Sequence, residues 1–239
     1  MDMEWTDSER KDRVIVALDC TGDEAIAIGE QLAGHARWVK VGMTLYYAAG
    51  PAIVRQLHKL GFKVFVDLKL HDIPHQVHGA AKSLAEAGAD LFTVHATGGA
   101  DMLRAAAEGA CAGAGGGRPP AVCAITVLTS MDAAALSSIG VPDDPAAQVG
   151  RLAALARDAQ LSGVVCSPME AAAMRGLLGE DALVVTPGVR PHGAALGDQS
   201  RVATPKDAFD AGASHIVVGR PVTRADNSLS AFEEITCCL

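Results

Sequence analysis

Short apolar runs rich in β-branched residues alternate along the chain with longer segments whose apolar residues recur at helical spacing. The short runs predict buried strands, because an extended chain that is covered on both faces hides nearly all of its side chains. The predicted strands are residues 14–19, 38–43, the first part of 64–74, 91–97, 121–129, 164–167, 183–186 and 215–218.

Predicted helices follow these strands one by one, at residues 22–37, 44–60, 73–87, 100–112, 146–159, 169–178, 205–211 and 228–236. Eight such units in 239 residues predict an α/β fold of the (β/α)8 TIM-barrel type, which usually needs about 250 residues. A doubly wound open sheet competes, but it usually has fewer strands at this length, and no GxGxxG motif follows the first strand. We expect a single barrel domain over 1–239, with a flexible segment at 1–12 and a lid carrying a short helix at 130–144.

Composition and charge argue against several classes of protein. With 49% hydrophobic residues, 20% charged residues and a mean hydropathy of +0.22, the chain is typical of a compact soluble protein, and it lacks the apolar run of about 18 residues that a membrane span requires. A net charge of −8 and a pI near 5.4 argue against a nucleic-acid surface. The polar N-terminal segment predicts a cytoplasmic protein. The scattered cysteines, without a CxxC pair, predict reduced thiols and no zinc site.

The stretch 63–74, KVFVDLKLHDIP, carries ionisable residues where a buried strand normally has none. Because side chains alternate along a strand, Asp67 and Lys69 share one face, and Asp72 falls just beyond the strand. Lys40 and Asp19 are predicted at the ends of adjacent strands, where barrels carry their functional groups.

The two carboxylates beside Lys69 favour its ammonium form, which makes this lysine an acid and not a nucleophile. A Schiff-base lysine needs the opposite surroundings, so a class I aldolase is disfavoured. The carboxylates could hold a divalent metal, but the lysine between them is a competing cation. A purely structural network of ion pairs is the alternative that the residues by themselves leave open.

A phosphate site is predicted after the seventh and eighth strands. TPGVR at 186–190 and VVGRP at 217–221 place Pro187, Gly219 and two arginines, Arg190 and Arg220, where barrels commonly bind phosphate. The side-chain amide of Gln199 could reach the same anion.

Four motifs, DLKLHDIP, LTS at 128–130, TPGVR and VVGRPVT, together resemble the orotidine 5′-monophosphate decarboxylase family in order and spacing. The resemblance covers about residues 14–232 and implies conversion of orotidine 5′-monophosphate to UMP and CO2, with neither metal nor organic cofactor. It implies a catalytic tetrad of Lys40, Asp67, Lys69 and Asp72, in a homodimer whose neighbouring subunit supplies Asp72. It also implies a set of substrate-binding residues: Asp19, Lys40, Ile73, Thr129, Ser130, Pro187, Arg190, Gln199, Gly219 and Arg220. Among these, Asp19 and Lys40 are expected on the ribose hydroxyls, Ser130 on the pyrimidine, and Arg190, Gln199 and Arg220 on the phosphate.

Two alternatives remain at this stage. A magnesium-dependent 3-keto-sugar-phosphate decarboxylase or hexulose-phosphate synthase resembles the same motif, and its activity would be lost in excess EDTA. A noncatalytic sensor of a phosphate ligand would keep the pocket without turnover, although the retained charges argue against it.

Overall fold

Eight parallel strands close into a barrel in the computed structural model, which describes residues 5–142, 144–189 and 203–239. Each strand pairs with the next along the chain, and β1 pairs with β8 to complete the closure. The (β/α)8 barrel predicted from the sequence is therefore confirmed. The strands are β1 Val14–Ala17, β2 Trp38–Gly42, β3 Lys63–Leu70, β4 Leu91–His95, β5 Ala121–Ile125, β6 Gly163–Val165, β7 Leu183–Thr186 and β8 His215–Val218.

Helices surround the barrel. They are α1 Asp7–Arg13, α2 Gly22–Leu32, α3 Met43–Ala49, α4 Ala52–Lys59, α5 Pro74–Ala87, α6 Gly99–Gly113, α7 Ala133–Ser138, α8 Pro145–Asp158, α9 Ala171–Leu178, α10 Pro205–Asp210, α11 Arg220–Thr223 and α12 Ser228–Cys237. None of the helices in the described ranges is long and apolar enough to cross a membrane.

Several predicted boundaries were wrong for local reasons. The single helix expected over 44–60 is divided into α3 and α4, because Gly50 has a φ of 66° and the following Pro51 has no N–H to continue the ladder. Strand β5 ends at Ile125 and not at 129, and β4 ends at His95, where a 3₁₀ turn over Ala96–Gly98 takes over.

The N-terminal segment 1–12 and the loop segment 130–144 each contain a short helix. Within the segment 1–12, where flexibility is expected, α1 begins after a capping box between Thr6 and Glu9, and Trp5 packs edge-on against Phe209 with ring centroids 4.8 Å apart. In the segment 130–144, α7 is the short helix predicted there, and the Asp132 side chain caps it by accepting a hydrogen bond from the N–H of Ala135 at 2.8 Å.

Side chains of the strands alternate between two apolar layers. Outward-facing residues pack under the helices, while the inward-facing ones fill the barrel: Ile15, Ala17, Phe65, Leu91, Cys123, Val185 and Val217. Since period-two alternation holds, the residues two positions further along these strands form the next layer, toward the C-terminal end of the barrel. Asp67 follows Phe65 in this way, so the charged stretch enters the barrel above an apolar floor.

Candidate active site

Four charged side chains form a chain of alternating sign at the C-terminal end of strands β1 to β3. Asp67 Oδ2 lies 2.9 Å from Lys69 Nζ and 3.6 Å from Lys40 Nζ. Lys40 Nζ in turn lies 3.0 Å from Asp19 Oδ1. The structure thus brings together the four residues Asp19, Lys40, Asp67 and Lys69, which the sequence places on three different strands or their ends.

Asp67 is the centre of this chain and is nearly enclosed, with 9% of its surface exposed. Burial by itself raises the pKa of a carboxyl, but the charges of Lys40 and Lys69 and the hydrogen bonds from Lys69 and Thr93 outweigh it and hold the pKa of Asp67 below its usual value. The carboxylate is therefore ionised at neutral pH and keeps two ammonium groups beside it.

The two ends of the chain of charges, Asp19 and Lys69, are more exposed than its middle, Lys40 and Asp67. The Asp19 side chain is 61% exposed, whereas that of Lys40 is 10% and that of Lys69 is 25%. The Lys69 ammonium group is thus accessible to a ligand in the cavity, while its ion pair with the buried carboxylate of Asp67 holds it in place.

A cavity of about 180 Å³ adjoins this chain of charges. Lys40, Asp67 and Lys69 line one side of it. The remaining lining is mostly apolar and comes from β3 itself and from the ends of the four strands β5 to β8: Phe65, Ile125, Val127, Leu128, Thr129, Val165, Cys166, Pro187 and Val217. A flat, weakly polar ring with a charged substituent would match these surroundings.

A larger hollow of about 690 Å³ lies at the opposite end of the barrel, where Trp38, Lys63, Leu183 and His215 begin their strands. It contains none of the four linked charges, so we place the site in the smaller cavity at the C-terminal end, where TIM barrels carry their chemistry.

Asp72 lies apart from the lysines of its own chain. Its side chain is exposed, and Oδ1 accepts a hydrogen bond of 2.6 Å from the N–H of Ile73. Ile73 precedes α5 and is 63% exposed. Within the described residues, three members of the tetrad implied by the resemblance, Lys40, Asp67 and Lys69, therefore lie together. The fourth, Asp72, lies apart from them.

The other predicted binding residues divide into three groups. Thr129 and Pro187 line the cavity, and Ser130 is exposed in the turn that follows. Gly219 comes after β8, and Arg220 begins α11 with an exposed side chain. Arg190 and Gln199 lie outside the described residues.

His95 stands at the end of β4 beside the charged chain. Burial, His71 and the charge of Lys69 together lower the pKa of His95 below its usual value, and the two histidine rings are 5.4 Å apart. In residues 5–142, 144–189 and 203–239, no three His, Cys, Asp or Glu side chains are grouped in a way that could hold a metal ion.

A family model, described as Orotidine 5′-phosphate decarboxylase / HUMPS family, matches residues 12–235. The chain belongs to this family. The match takes in all eight strands and every residue of the charged chain.

Relatives within the orotidine 5′-phosphate decarboxylase / HUMPS family carry the decarboxylase name. The protein named orotidine 5′-phosphate decarboxylase from Anaeromyxobacter dehalogenans is 51% identical over 229 residues, which are 95% of this chain and 98% of that protein. The one of the same name from Halorhodospira halophila is 50% identical over 224 residues, covering 93% and 94% of the two chains. A crystal structure of orotidine 5′-phosphate decarboxylase from Lactobacillus acidophilus superposes with a TM-score of 0.84 at 41% identity, covering 95% of this chain and 98% of that chain.

Two residues of the site were missed by the sequence analysis. Thr93, fully buried on β4, donates a hydrogen bond from Oγ1 to Asp67 Oδ1 at 2.8 Å. Gly42, at the end of β2, leaves room for the chain of charges, because a Cβ there would lie 2.7 Å from Asp19 Oδ1 and 3.0 Å from Lys40 Nζ. The only sequence signal for Gly42 was its place two residues after Lys40 in the predicted strand 38–43, and Thr93 gave none.

Proposed function

We propose that the chain is a carboxy-lyase that converts orotidine 5′-monophosphate to UMP and CO2 in de novo pyrimidine biosynthesis, without a metal or organic cofactor. The observation that carries the proposal is the Asp19, Lys40, Asp67 and Lys69 chain at the edge of an otherwise mostly apolar cavity. The family and the names of relatives that are about half identical to this chain support the same substrate.

The reaction needs a cation at the carbon that loses CO2. When the bond between C6 and the carboxylate breaks, the electron pair stays on C6, and the pyrimidine ring has no position that delocalises it well. In the proposed mechanism the Lys69 ammonium stabilises this developing charge and then transfers a proton from Nζ to C6, which forms the C–H bond of UMP. The neutral amine regains its proton from solvent.

Asp67 positions the Lys69 side chain both to stabilise the developing charge and to donate the proton. Its carboxylate, ionised because its pKa is lowered, lies 2.9 Å from Lys69 Nζ and holds that side chain at the edge of the cavity. Lys40 shares the same oxygen at 3.6 Å and links it to Asp19. Since these charges are set before substrate arrives, little reorganisation is needed when the carbanion forms.

The remaining parts of the cavity suit the remaining parts of the substrate. The apolar lining would take the pyrimidine ring, with Thr129 and Ser130 at its polar edge. The half-exposed carboxylate of Asp19, with Lys40, would bind the ribose hydroxyls. Gly219 and Arg220 after β8 would hold the phosphate, together with Arg190 and Gln199, which lie outside the described residues. This binding energy, remote from the reacting carbon, would favour closure of the 130–144 segment.

Asp72 is proposed to act in the partner subunit of a homodimer. It is exposed, and the exposed apolar side chains Met43, Tyr47 and Ile73 lie in the same and the preceding strand–helix unit, at 46%, 74% and 63% exposure. Exposed apolar residues grouped at one end of a monomer are typical of an interface. A second copy seated there would carry its Asp72 to the neighbour's Lys69.

Subunit complementation tests the shared site. Lys69→Met and Asp72→Asn should each be inactive alone, yet a dimer with one subunit of each kind contains one site with an intact Lys69 and an intact partner Asp72. Random assortment after equal co-expression makes half of the dimers mixed, so about a quarter of wild-type activity should return. No recovery in proven mixed dimers would rule out Asp72 acting across the interface.

The activity itself is tested by the absorbance change of orotidine 5′-monophosphate with the purified full chain, with and without excess EDTA. We expect equal turnover in both. Activity lost in EDTA and restored by magnesium would favour the metal-dependent branch, and tight UMP binding without turnover would favour a sensor. Cytoplasmic location stays a prediction, supported by six cysteines that form no disulfide within the described residues, as suits a reducing compartment.

A further inference from the structure

Strand β3 bulges where it carries its charges. Val66 pairs with Phe92 of β4, but the next matched pair is Leu70 with Val94. Three residues of β3, from Asp67 to Lys69, therefore stand opposite the single residue Thr93. A bulge of this kind removes the regular ladder bonds over its length and re-aims the side chains that it carries.

The Thr93 hydroxyl gives the backbone N–H of Lys69 a partner inside the bulge and also bonds the Asp67 side chain. The N–H of Lys69 donates to Thr93 Oγ1 at 3.0 Å, and the same hydroxyl donates to Asp67 Oδ1 at 2.8 Å. An ionised carboxylate can only accept, so the single hydroxyl proton is committed to Asp67 and an oxygen lone pair is left for Lys69. Thr93 is fully buried, and water cannot replace either bond.

Both ends of the Lys69–Asp67 ion pair depend on these two bonds. Lys69 has a φ of 52°, in the left-handed region that disfavours residues with a Cβ, so its backbone needs an outside partner to stay there. With Oδ1 of Asp67 held by Thr93, the other oxygen, Oδ2, faces Lys69 and Lys40.

We propose that Thr93 is a positioning residue for the decarboxylation, which fixes the backbone of Lys69 and the carboxylate of Asp67 so that the Lys69 ammonium stands at the reacting carbon. This inference rests on the proposed function. Thr93 does not line the cavity, so its effect reaches the substrate only through Lys69 and Asp67.

The test compares Thr93→Val, Thr93→Ser and wild type. Valine keeps the shape and removes the hydroxyl, whereas serine keeps the hydroxyl and removes one methyl group. Single-turnover rates report the chemical step, and the dissociation constant of UMP reports the binding of a ligand that needs no proton transfer.

For Thr93→Val we expect the single-turnover rate to fall by about 10- to 100-fold, as for loss of a hydrogen bond to a charged group, while UMP binding changes by about twofold or less. Thr93→Ser should restore most of the rate. Thr236 provides a matched control: it is a buried threonine on α12 whose hydroxyl bonds the carbonyl of Phe232, and Thr236→Val should lower the melting temperature without changing the rate.

Three results would overturn the inference: a Thr93→Val rate equal to wild type, an equal rate loss in Thr93→Val and Thr93→Ser, or a loss of UMP affinity that matches the loss of rate. If Thr93→Val does not fold, Thr93→Ala, which removes the same hydroxyl, takes its place in the comparison with serine. A wild-type chain that does not turn over orotidine 5′-monophosphate would instead refute the proposed function.

Discussion

Replacement of Lys69 by methionine is the most direct perturbation of the proposed chemistry. Methionine keeps an unbranched, flexible side chain that is one atom shorter, and it removes the charged nitrogen with its protons. We expect Lys69→Met to have no measurable turnover, because the same group is proposed to stabilise the carbanion and to protonate it.

The magnitude follows from the two roles of the ammonium group. A positioned general acid contributes about 10²- to 10⁴-fold to a rate, and a preorganised charge contributes about 10²- to 10³-fold. Loss of both should lower the single-turnover rate by at least about 10⁴-fold. The cost in stability is much smaller, since Lys69 is 25% exposed and Asp67 retains Lys40 and Thr93, so we expect about 1–3 kcal/mol. In a chain of this size each kcal/mol lowers the melting temperature by about 2–4 °C, so the variant should remain folded in the assay.

The assay has a matched control on the same strand. Lys63 begins β3 at the other end of the barrel, with Nζ 5.1 Å from the centre of the Trp38 ring. Lys63→Met removes the same charge from the same strand and should keep wild-type turnover. Circular dichroism and thermal melts of both variants show whether either has lost its fold. A folded Lys69→Met with more than about 1% of the wild-type single-turnover rate would refute the assigned role of Lys69. Loss of either contribution alone should lower the rate at least about 100-fold.

Two further substitutions test the surroundings of this lysine. The folded-state pKa of Asp67 lies below its unfolded value, so its ion pairs stabilise the protein above about pH 4 and lose that contribution as the pH falls further. The difference in unfolding free energy between wild type and Asp67→Asn, measured by urea titration, should therefore shrink below about pH 4, and a constant difference would contradict the lowered pKa. Gly42→Ala places a methyl group against the Asp19 and Lys40 side-chain ends, both of which can rotate away, so it should raise the KM for orotidine 5′-monophosphate while stability stays within about 1 kcal/mol. An unchanged KM would show that the contact between Asp19 and Lys40 does not matter for binding.

Much of the fold was predictable because its signals are local. The alternation of apolar runs and helical segments gives eight units, and eight units of this size close into a barrel. Alternation along β3 also predicted Asp67 and Lys69 on one face, and in the structure both line the cavity together with Phe65 of the apolar floor. The split between α3 and α4 was visible in the pair Gly50 and Pro51, but the continuous apolar periodicity on both sides concealed it.

The contacts that define the site were less predictable because they depend on register between strands. Thr93 is 26 residues from Asp67, and its hydrogen bond exists only because β3 has a bulge there, with three residues opposite the single residue Thr93 of β4. Nothing in the sequence of either strand indicates this bulge. The closeness of Gly42 to Asp19 likewise depends on the relative height of β1 and β2. Local patterns gave the residue types of the site, and pairing between strands gave their geometry.

The chain of charges is poorly explained as a device for stability alone. At 2.9 Å, two unit charges in surroundings with an effective dielectric constant near 20 attract by about 6 kcal/mol, and removing each ion from water costs several kcal/mol, so the Asp67–Lys69 pair contributes little in net terms. Lys69 also adopts an unfavourable backbone conformation and faces a cavity instead of packed side chains. An arrangement that strains the backbone, buries charge for little gain and leaves the ammonium group accessible from the cavity is what catalysis at Lys69 requires. The structural interpretation accounts for the ion pairs, but the catalytic one also accounts for the bulge, the strain and the empty space beside them.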